Sequence, residues 1–235
     1  MAGNEINNKI SDLWKKYPEE IRGKYHPLYY PDFNKGGLLF IGINPSFSPK
    51  GFRQALKDTE YEGTNPKEFY NFTNLDFQIG KAIAIENHVR KQHDYFKKFD
   101  KISKETGKNW EHIDLFLYRE TSQLESNKII NYSTKGGKVS MNEFGREQLT
   151  LVREEIKLIS PKVIVVVNAR ASEILRTEFL IEKLDSSSEL GFQTLEVNGN
   201  KIPIFFSGML TGQRALDKGS FERLVWHIKR ALNQK

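Results

Sequence analysis

Four short apolar runs, set apart by longer segments of helical periodicity, most constrain what this chain of 235 residues can fold into. The runs are Leu38–Ile43, Ile113–Leu117, Val163–Val167 and Ile202–Phe206. Because their apolar residues are continuous rather than alternating, they are typical of strands that are covered on both faces. Strands that alternate with helices need crossover connections. The pattern therefore predicts an α/β fold with three layers, α/β/α, around a central, mostly parallel four-stranded sheet.

The segments between and after these runs carry helix and turn signals. Helices are predicted over Met141–Ile159, over Ala171–Leu184 and in a C-terminal segment whose apolar stripe comprises Phe221, Leu224, Val225, Ile228 and Leu232. Ser140 and Glu143 form a capping box before the first of these helices, and Pro161 ends it. The Asn198-Gly199 dipeptide predicts a tight β-hairpin that leads into the last strand.

Length and composition favour a single domain over residues 1–235. The mass is 27.3 kDa and the mean hydropathy is −0.58, and a chain of this size can bury most of its apolar surface in one α/β domain. No apolar segment approaches the roughly 20 residues of a membrane helix. The N-terminal segment MAGNEINNKI lacks the apolar core of a signal peptide. We therefore expect a monomeric cytoplasmic protein without membrane association.

The sequence also limits the chemistry of any site. It contains no cysteine, which excludes disulfides, thiolate catalysis and cysteine-ligated zinc or iron–sulfur centres. The five histidines are scattered without the spacing of a metal site, and no GxSxG, P-loop or GxGxxG motif occurs. We expect neither a metal nor an organic cofactor. The missing motifs argue against an unrelated α/β hydrolase or phosphate-binding enzyme.

The charge balance is basic, since 36 Lys and Arg against 30 Asp and Glu give a net charge of +6. Such a balance favours nucleic acid, phosphorylated ligands or an anionic surface as a partner, but it equally suits a protein that is merely kept in solution. The densest basic segment, residues 90–108, is interpreted as a helix with a solvated basic face and an inner stripe of Tyr95, Phe96 and Phe99. The alternative is a surface that follows a phosphate backbone.

Ligands of parallel α/β sheets bind beyond the carboxyl ends of the strands, so the residues after each run are candidates for a site. After the first run, Gly42 permits close approach of a ligand, and Pro45 fixes a turn that can aim the Asn44 amide into a cleft. The alternative is an ordinary Asn-Pro-Ser turn. In the second run, a buried Asp114 needs a partner. Arg119 can supply one, either as a structural ion pair or beside a ligand.

The last two runs lead into a helix and into a small loop. Asn168 is the predicted N-cap of the helix. The loop after the fourth run contains Ser207, Gly208, Met209, Leu210 and Arg214. Exposed apolar tips on basic proteins can wedge into stacked bases, although such residues more often pack beneath their loop.

Taken in order, these segments resemble the uracil-DNA glycosylase superfamily. GINPS at Gly42–Ser46 is similar to the superfamily's first catalytic loop, closest to the mismatch-specific and thymine-DNA branches. DLFLYR at Asp114–Arg119 resembles the second-strand segment of the iron–sulfur-containing branch. IPIFFSGML at Ile202–Leu210 stands where the superfamily runs its last strand into a His-Pro-Ser loop. The resemblance covers residues 36–232 as ordered anchors, of which GINPS is the most specific.

The resemblance implies hydrolysis of the N-glycosidic bond of a damaged or mismatched base that is flipped out of DNA. It implies that Asn44 positions the attacking water. The residues implied for the base pocket are Gly42, Ile43, Pro45, Ser46, Phe52 and Asp114, with Phe47, Phe69 and Tyr70 as alternatives for the stacking face. The residues implied for contact with DNA are Ser207, Gly208, Met209, Leu210, Arg214 and Arg119.

Two departures from the superfamily pattern bear on activity. Ser207-Gly208-Met209 replaces His-Pro-Ser, and Asp114 replaces an Asn that reads the base edge. Loss of one donor to the leaving base can slow the reaction by on the order of 100-fold, so slow or altered activity is expected. The alternative function is a protein that kept the fold and cleft but lost the chemistry, and that binds nucleic acid, a free base or a nucleotide.

Overall fold

Helices follow the strands of an α/β fold in the computed structural model, which describes residues 2–21, 24–136, 138–179, 181–182, 192–212 and 215–233. The strands are β1 (Leu38–Gly42), β2 (Trp110–Asp114), β3 (Ser133–Lys135), β4 (Lys138–Ser140), β5 (Val163–Val166), β6 (Ile181–Glu182), β7 (Gln193–Val197) and β8 (Asn200–Phe206). The helices are α1 (Ala2–Lys16), α2 (Pro49–Ala55), α3 (Pro66–Phe69), α4 (Ile79–Gln92), α5 (Asp94–Thr106), α6 (Gln123–Ile129), α7 (Glu143–Ile159), α8 (Ala169–Glu178) and α9 (Lys218–Asn233). Within these segments, no helix has the length and apolar content needed to cross a bilayer.

Six strands form one mixed sheet, in the order β2-β1-β5-β8-β7-β6. The first four are parallel to one another, whereas β7 and β6 add antiparallel strands on the β8 side. The predicted α/β fold with a mostly parallel sheet is confirmed, and the four predicted runs supply its parallel strands. The predicted count of four is wrong, because β7 and β6 extend the same sheet. The predicted hairpin is also confirmed: Asn198 and Gly199, with φ of 52° and 76°, form the turn between β7 and β8.

Side chains alternate across the sheet, and helices cover each face. Leu39 and Ile41 of β1 pack in the cluster that α1, α7 and α8 build on one face. Leu38 and Phe40 point to the other face, where α5 and α9 cover them. Phe40 stacks on Phe99 of α5, with 4.1 Å between ring centroids and 5° between ring planes. The described residues therefore form the three layers expected from continuous apolar strands.

The edge strand β2 lies three residues earlier than predicted, at Trp110–Asp114 rather than Ile113–Leu117. Its residues Glu111 and His112 are polar although they are buried, so the strand lacks the continuous apolar run from which a buried strand is predicted. Glu111 is tolerated because residues 24–34 run along this edge and supply its hydrogen-bond partner, whereas His112 packs beside the α5 rings of Tyr95, Phe96 and Phe99. The side-chain amide of Asn34, for example, donates to the Glu111 carboxylate at 2.6 Å.

Two predicted helices have different bounds in the structure. The N-cap of α7 is Asn142, whose side-chain oxygen accepts a hydrogen bond from Gly145 N–H at 3.0 Å, so the capping box predicted at Ser140 is wrong. Helix α8 is shorter than the predicted 171–184 and ends at residue 178. Asn168 caps α8, as predicted, by accepting from two backbone N–H groups.

The basic segment and the N-terminal segment also differ from expectation. Residues 90–108 contain two helices rather than one, because α4 ends at Gln92 and His93 caps α5. Helix α1 was not predicted from the sequence. Its buried residues Ile6, Ile10 and Leu13 recur at helical spacing and carry the signal that could have revealed it.

Gly37, just before β1, lies where two backbone segments approach closely. A Cβ atom at this position would lie 2.3 Å from the Asn109 carbonyl oxygen and 2.9 Å from its carbonyl carbon. We expect Gly37→Ala to lower the free energy of unfolding by about 1–3 kcal/mol, because the backbone at Asn109 must move to admit the methyl group. Urea denaturation measures the change. Gly80→Ala is the matched control, since open space surrounds Gly80 in α4. Equal stability of both variants and the wild type would contradict this packing.

Candidate functional site

The ladder between β1 and β2 continues past the sheet into the loops that follow them, residues 43–48 (loop 1) and 115–121 (loop 2). Phe116 N–H donates to the Ile43 carbonyl at 2.9 Å, and Glu120 N–H donates to the Pro45 carbonyl at 3.1 Å. The two loops are therefore held side by side at the carboxyl edge of the sheet. They lie next to the gap between β1 and β5, where strand succession reverses direction and where sheets of this kind bind ligands.

The Asn44 side chain is part of this contact between the loops. Its Nδ2 donates to the Glu120 carbonyl at 2.6 Å and lies 3.5 Å from the Tyr118 carbonyl. Carbonyl oxygens at one end of an amide require the NH2 group there, which fixes the orientation of the side chain. Oδ1 has no hydrogen-bond partner among the described residues, and the residue is only half-buried. Asn44 thus offers an acceptor to a water or ligand.

The aromatic residues near loop 1 pack against one another. The Phe52 ring contacts those of Phe47 and Tyr70 edge-on, at centroid distances of 5.2 and 5.6 Å, and only 5% of Phe52 is exposed. Phe69 belongs to the same buried cluster. No face of the Phe52 ring is therefore open in the way that stacking on a base requires. Elsewhere in loop 1, Ser46 is exposed.

The Asp114 carboxyl lies over Gly42. A Cβ atom on Gly42 would lie 2.2 Å from Asp114 Oδ1 and 3.1 Å from His112 Nε2. The glycine therefore makes room for the Asp114 side chain, whereas the sequence analysis attributed it to close approach of a ligand. His112 Nε2 lies 3.8 Å from Asp114 Oδ1 and has no hydrogen-bond partner among the described residues.

Burial keeps both of these side chains neutral. Burial and, to a lesser extent, nearby Glu86 raise the pKa of the Asp114 carboxyl to about 8, although Arg119 acts in the opposite direction. Burial, aided by Arg90, lowers the pKa of His112 to about 3. The 3.8 Å approach is therefore a contact between neutral groups rather than an ion pair. A protonated carboxyl carries one O–H donor and one carbonyl acceptor, the same pair that an amide carries.

Arg119, predicted to contact DNA or to pair with Asp114, is an internal structural residue. Its side chain is 1% exposed. Nε donates to the His26 carbonyl at 3.0 Å, and Nη2 pairs with Glu86 Oε1 at 2.7 Å. The guanidinium also lies 4.2 Å from the centroid of the Tyr70 ring. This placement contradicts a phosphate contact, because the guanidinium has no access to a DNA backbone.

In the loop after β8, some of the residues predicted to contact DNA are exposed and others are buried. Met209 is 37% exposed, whereas Leu210 is 1% exposed and packs beneath the loop. Ser207 N–H continues the ladder by donating to the Val166 carbonyl at 2.8 Å, and its buried Oγ has no partner among the described residues. Gly208 is half-buried. Arg214 lies outside the described residues.

Two cavities among the described residues lie away from loops 1 and 2. A cavity of about 830 Å³ is lined by residues between Glu60 and Lys81, and one of about 370 Å³ lies along α5; neither includes Asn44 or Asp114. The described part of the chain contains no group of three His, Asp or Glu side chains that could hold a metal ion.

Two residues of the site escaped the sequence analysis. Glu86 pairs with Arg119 from α4 and acts on Asp114 through its charge. Tyr30 Oη accepts from the Asp114 N–H at 3.3 Å. Both come from segments remote in sequence, and no local pattern marks them. No protein-family model and no curated protein matches this chain.

The Asn44 contact predicts a specific effect on stability. We expect Asn44→Ala to lower the free energy of unfolding by about 1 kcal/mol, and Asn44→Asp by about 3 kcal/mol at pH 7, because a carboxylate would face carbonyl oxygens. Urea denaturation measures both changes. Asn8→Asp, on the exposed side of α1, is the control and should be nearly neutral. An Asn44→Asp variant as stable as the wild type would show that the amide does not donate to loop 2.

The raised pKa of Asp114 predicts a dependence of stability on pH. The unfolded carboxyl loses its proton near pH 4 and the folded one near pH 8, so the folded state holds the extra proton between these values. Stability therefore falls as pH rises through this window, by about 1.4 kcal/mol per pH unit for this one group. Asp114→Asn removes that contribution. Denaturation at pH 4.5, 6 and 7.5 should show a flatter decline for the variant, and parallel curves would refute a buried neutral carboxyl.

Proposed function

We propose that this protein is a uracil-DNA glycosylase-like enzyme that hydrolyses the N-glycosidic bond of a damaged or mismatched base in DNA. The observation that carries the proposal is the fixed Asn44 amide. Its nitrogen is bound to loop 2, and its oxygen is left as an acceptor at the carboxyl edge of the sheet. An acceptor held in this way can orient a water molecule toward a sugar carbon without removing its proton.

The reaction does not require a protein side chain that acts as a strong general base. As the bond between the sugar C1′ and the base nitrogen breaks, positive charge develops on the sugar and negative charge on the base. Water forms the new bond to C1′, and its proton is transferred through solvent to the departing base. Neutral donors that face the base stabilise its charge in the transition state. The neutral Asp114 carboxyl, at the end of β2 beside loop 1, is one such donor.

Asp114 also supports recognition of a base edge. In its neutral form it offers the donor and acceptor that an Asn offers, so the replacement of the superfamily's Asn conserves the hydrogen-bonding pattern below about pH 8. The order of the segments in the sheet supports the same proposal. GINPS follows β1, DLFLYR begins at the end of the adjacent β2, and the altered last loop follows β8.

A second function, binding of a nucleic acid, base or nucleotide without hydrolysis, is favoured by two observations. Arg119 and Leu210, both implied as DNA contacts, are buried in this structure. The aromatic faces near loop 1 are occupied by one another. A flipped base would therefore need local rearrangement before it could stack, and a protein that only binds a ligand edge would not.

Base release distinguishes the two functions. Purified protein is incubated with single-stranded and mismatched duplex oligonucleotides that contain uracil, hypoxanthine or xanthine, and abasic sites are cleaved with alkali. We expect slow release that falls by about 100-fold in Asn44→Ala and is unchanged in Asn8→Ala. Release should also decline above about pH 8, as Asp114 loses its proton. Binding of these substrates without release would support the second function and refute the first.

A further inference from the structure

The two-stranded sheet of β3 and β4, residues 133–140 (the β3–β4 hairpin), has the composition of a surface that contacts phosphates. No acidic residue occurs from Ser126 to Asn142, a stretch that includes Lys135 and Lys138. Both strands are exposed except for the half-buried Val139. Among the described residues, no carboxylate lies within ion-pair distance of either lysine. Within the described part of the chain, the positive charge of the hairpin therefore has no carboxylate partner.

The base of the hairpin is fixed to the body of the protein. Tyr132 Oη donates to the Glu173 carboxylate of α8 at 2.7 Å. The Arg170 guanidinium lies 5.0 Å from the Tyr132 ring centroid and donates to the Asn127 side chain. Val139 packs against the cluster on this face of the sheet. Binding a partner along β3 and β4 would therefore require little additional ordering of these two strands.

The hairpin lies at the same edge of the sheet as Asn44. It directly precedes α7, which runs back along the sheet and ends before β5 begins, so its own start lies at the carboxyl edge. Contacts also connect the two places. The Tyr118 carbonyl lies 3.5 Å from Asn44 Nδ2, and the Tyr118 hydroxyl lies 2.8 Å from the Ser126 hydroxyl of α6, which leads into the hairpin.

We infer that the β3–β4 hairpin is a nucleic-acid arm, whose Lys135 and Lys138 hold the phosphate backbone of the strand that enters the Asn44 site. Lysine, serine, threonine and backbone N–H groups are the usual partners of phosphates, and they make up the exposed part of this hairpin. The inference deepens the proposed function. It rests on that function only for the choice of nucleic acid over another polyanion.

Binding of a fluorescent 30-nucleotide single strand, measured by anisotropy over a range of salt concentrations, tests the inference. We expect Lys135→Glu/Lys138→Glu to weaken binding about 10-fold or more at low salt. Two lost phosphate contacts should reduce the slope of log K against log salt by about 1.4. Unchanged circular dichroism and melting temperature would show that the variant is folded, as expected for substitutions at exposed positions.

Lys157→Glu/Lys162→Glu is the matched control. Both lysines are exposed, and they lie at the opposite edge of the sheet, at the end of α7 and just before β5. The net charge changes equally in the two double variants. We expect the control to retain at least half of the wild-type affinity. Equal losses in both double variants would overturn the inference, because binding would then depend on net charge alone.

The outcomes separate this inference from the proposed function. Binding that depends on the hairpin, without base release from any substrate, supports the inference about the hairpin and refutes the proposed glycosylase activity. Base release that is unchanged in Lys135→Glu/Lys138→Glu overturns the inference about the hairpin and supports the proposed glycosylase activity. Absence of oligonucleotide binding overturns the arm. Tighter hairpin-dependent binding to vesicles of anionic lipid than to oligonucleotides also overturns it.

Discussion

The candidate site depends on one interaction, the continuation of the parallel β1–β2 ladder beyond the sheet. Loops usually separate as they leave a sheet, but here backbone bonds such as that from Glu120 to Pro45 hold loops 1 and 2 together. Asn44 completes this contact with a side-chain donor and thereby acquires a fixed orientation. The contact that stabilises the loops is thus also the one that leaves the amide oxygen free.

A second constraint comes from the buried charges behind the loops. Arg119 donates to backbone carbonyls of residues 26 and 27 and pairs with Glu86, which connects the edge segment, loop 2 and α4. Asp114 therefore lies near Glu86, whose carboxylate is already paired with Arg119. Asp114 is itself buried away from solvent. Its neutral form is favoured as a result. A protonated carboxyl at this position carries the same pair of donor and acceptor as an amide.

The sequence predicted the framework well, because continuous apolar runs report burial on both faces. β1, β5 and β8 lie close to the runs that predicted them, and the Asn198-Gly199 turn has the expected backbone conformation. Edge strand β2 was misplaced, because Glu111 and His112 are polar residues buried within it and interrupt the apolar pattern.

The roles of individual site residues were harder to predict, since they depend on burial. Asp114 was singled out as a carboxyl inside a buried run, and Asn44 because it follows a strand in a parallel sheet. Arg119 follows the same pattern, yet its partners Glu86 and His26 come from remote segments and hold it inside. The β3–β4 hairpin gave no apolar signal, since only Val139 is half-buried. The lack of acidic residues in and around the hairpin was the signal that the sequence offered.

The most direct test of the central claim is a crystal structure of the protein with a short single-stranded oligonucleotide that contains a stable abasic-site analogue. The account predicts that the abasic sugar lies at the carboxyl edge of the sheet, with a water molecule between C1′ and Asn44 Oδ1. Asn44 Nδ2 should still be bound to the Glu120 carbonyl. A strand bound elsewhere, or an Asn44 side chain released from loop 2 and turned away from the sugar, would contradict the account.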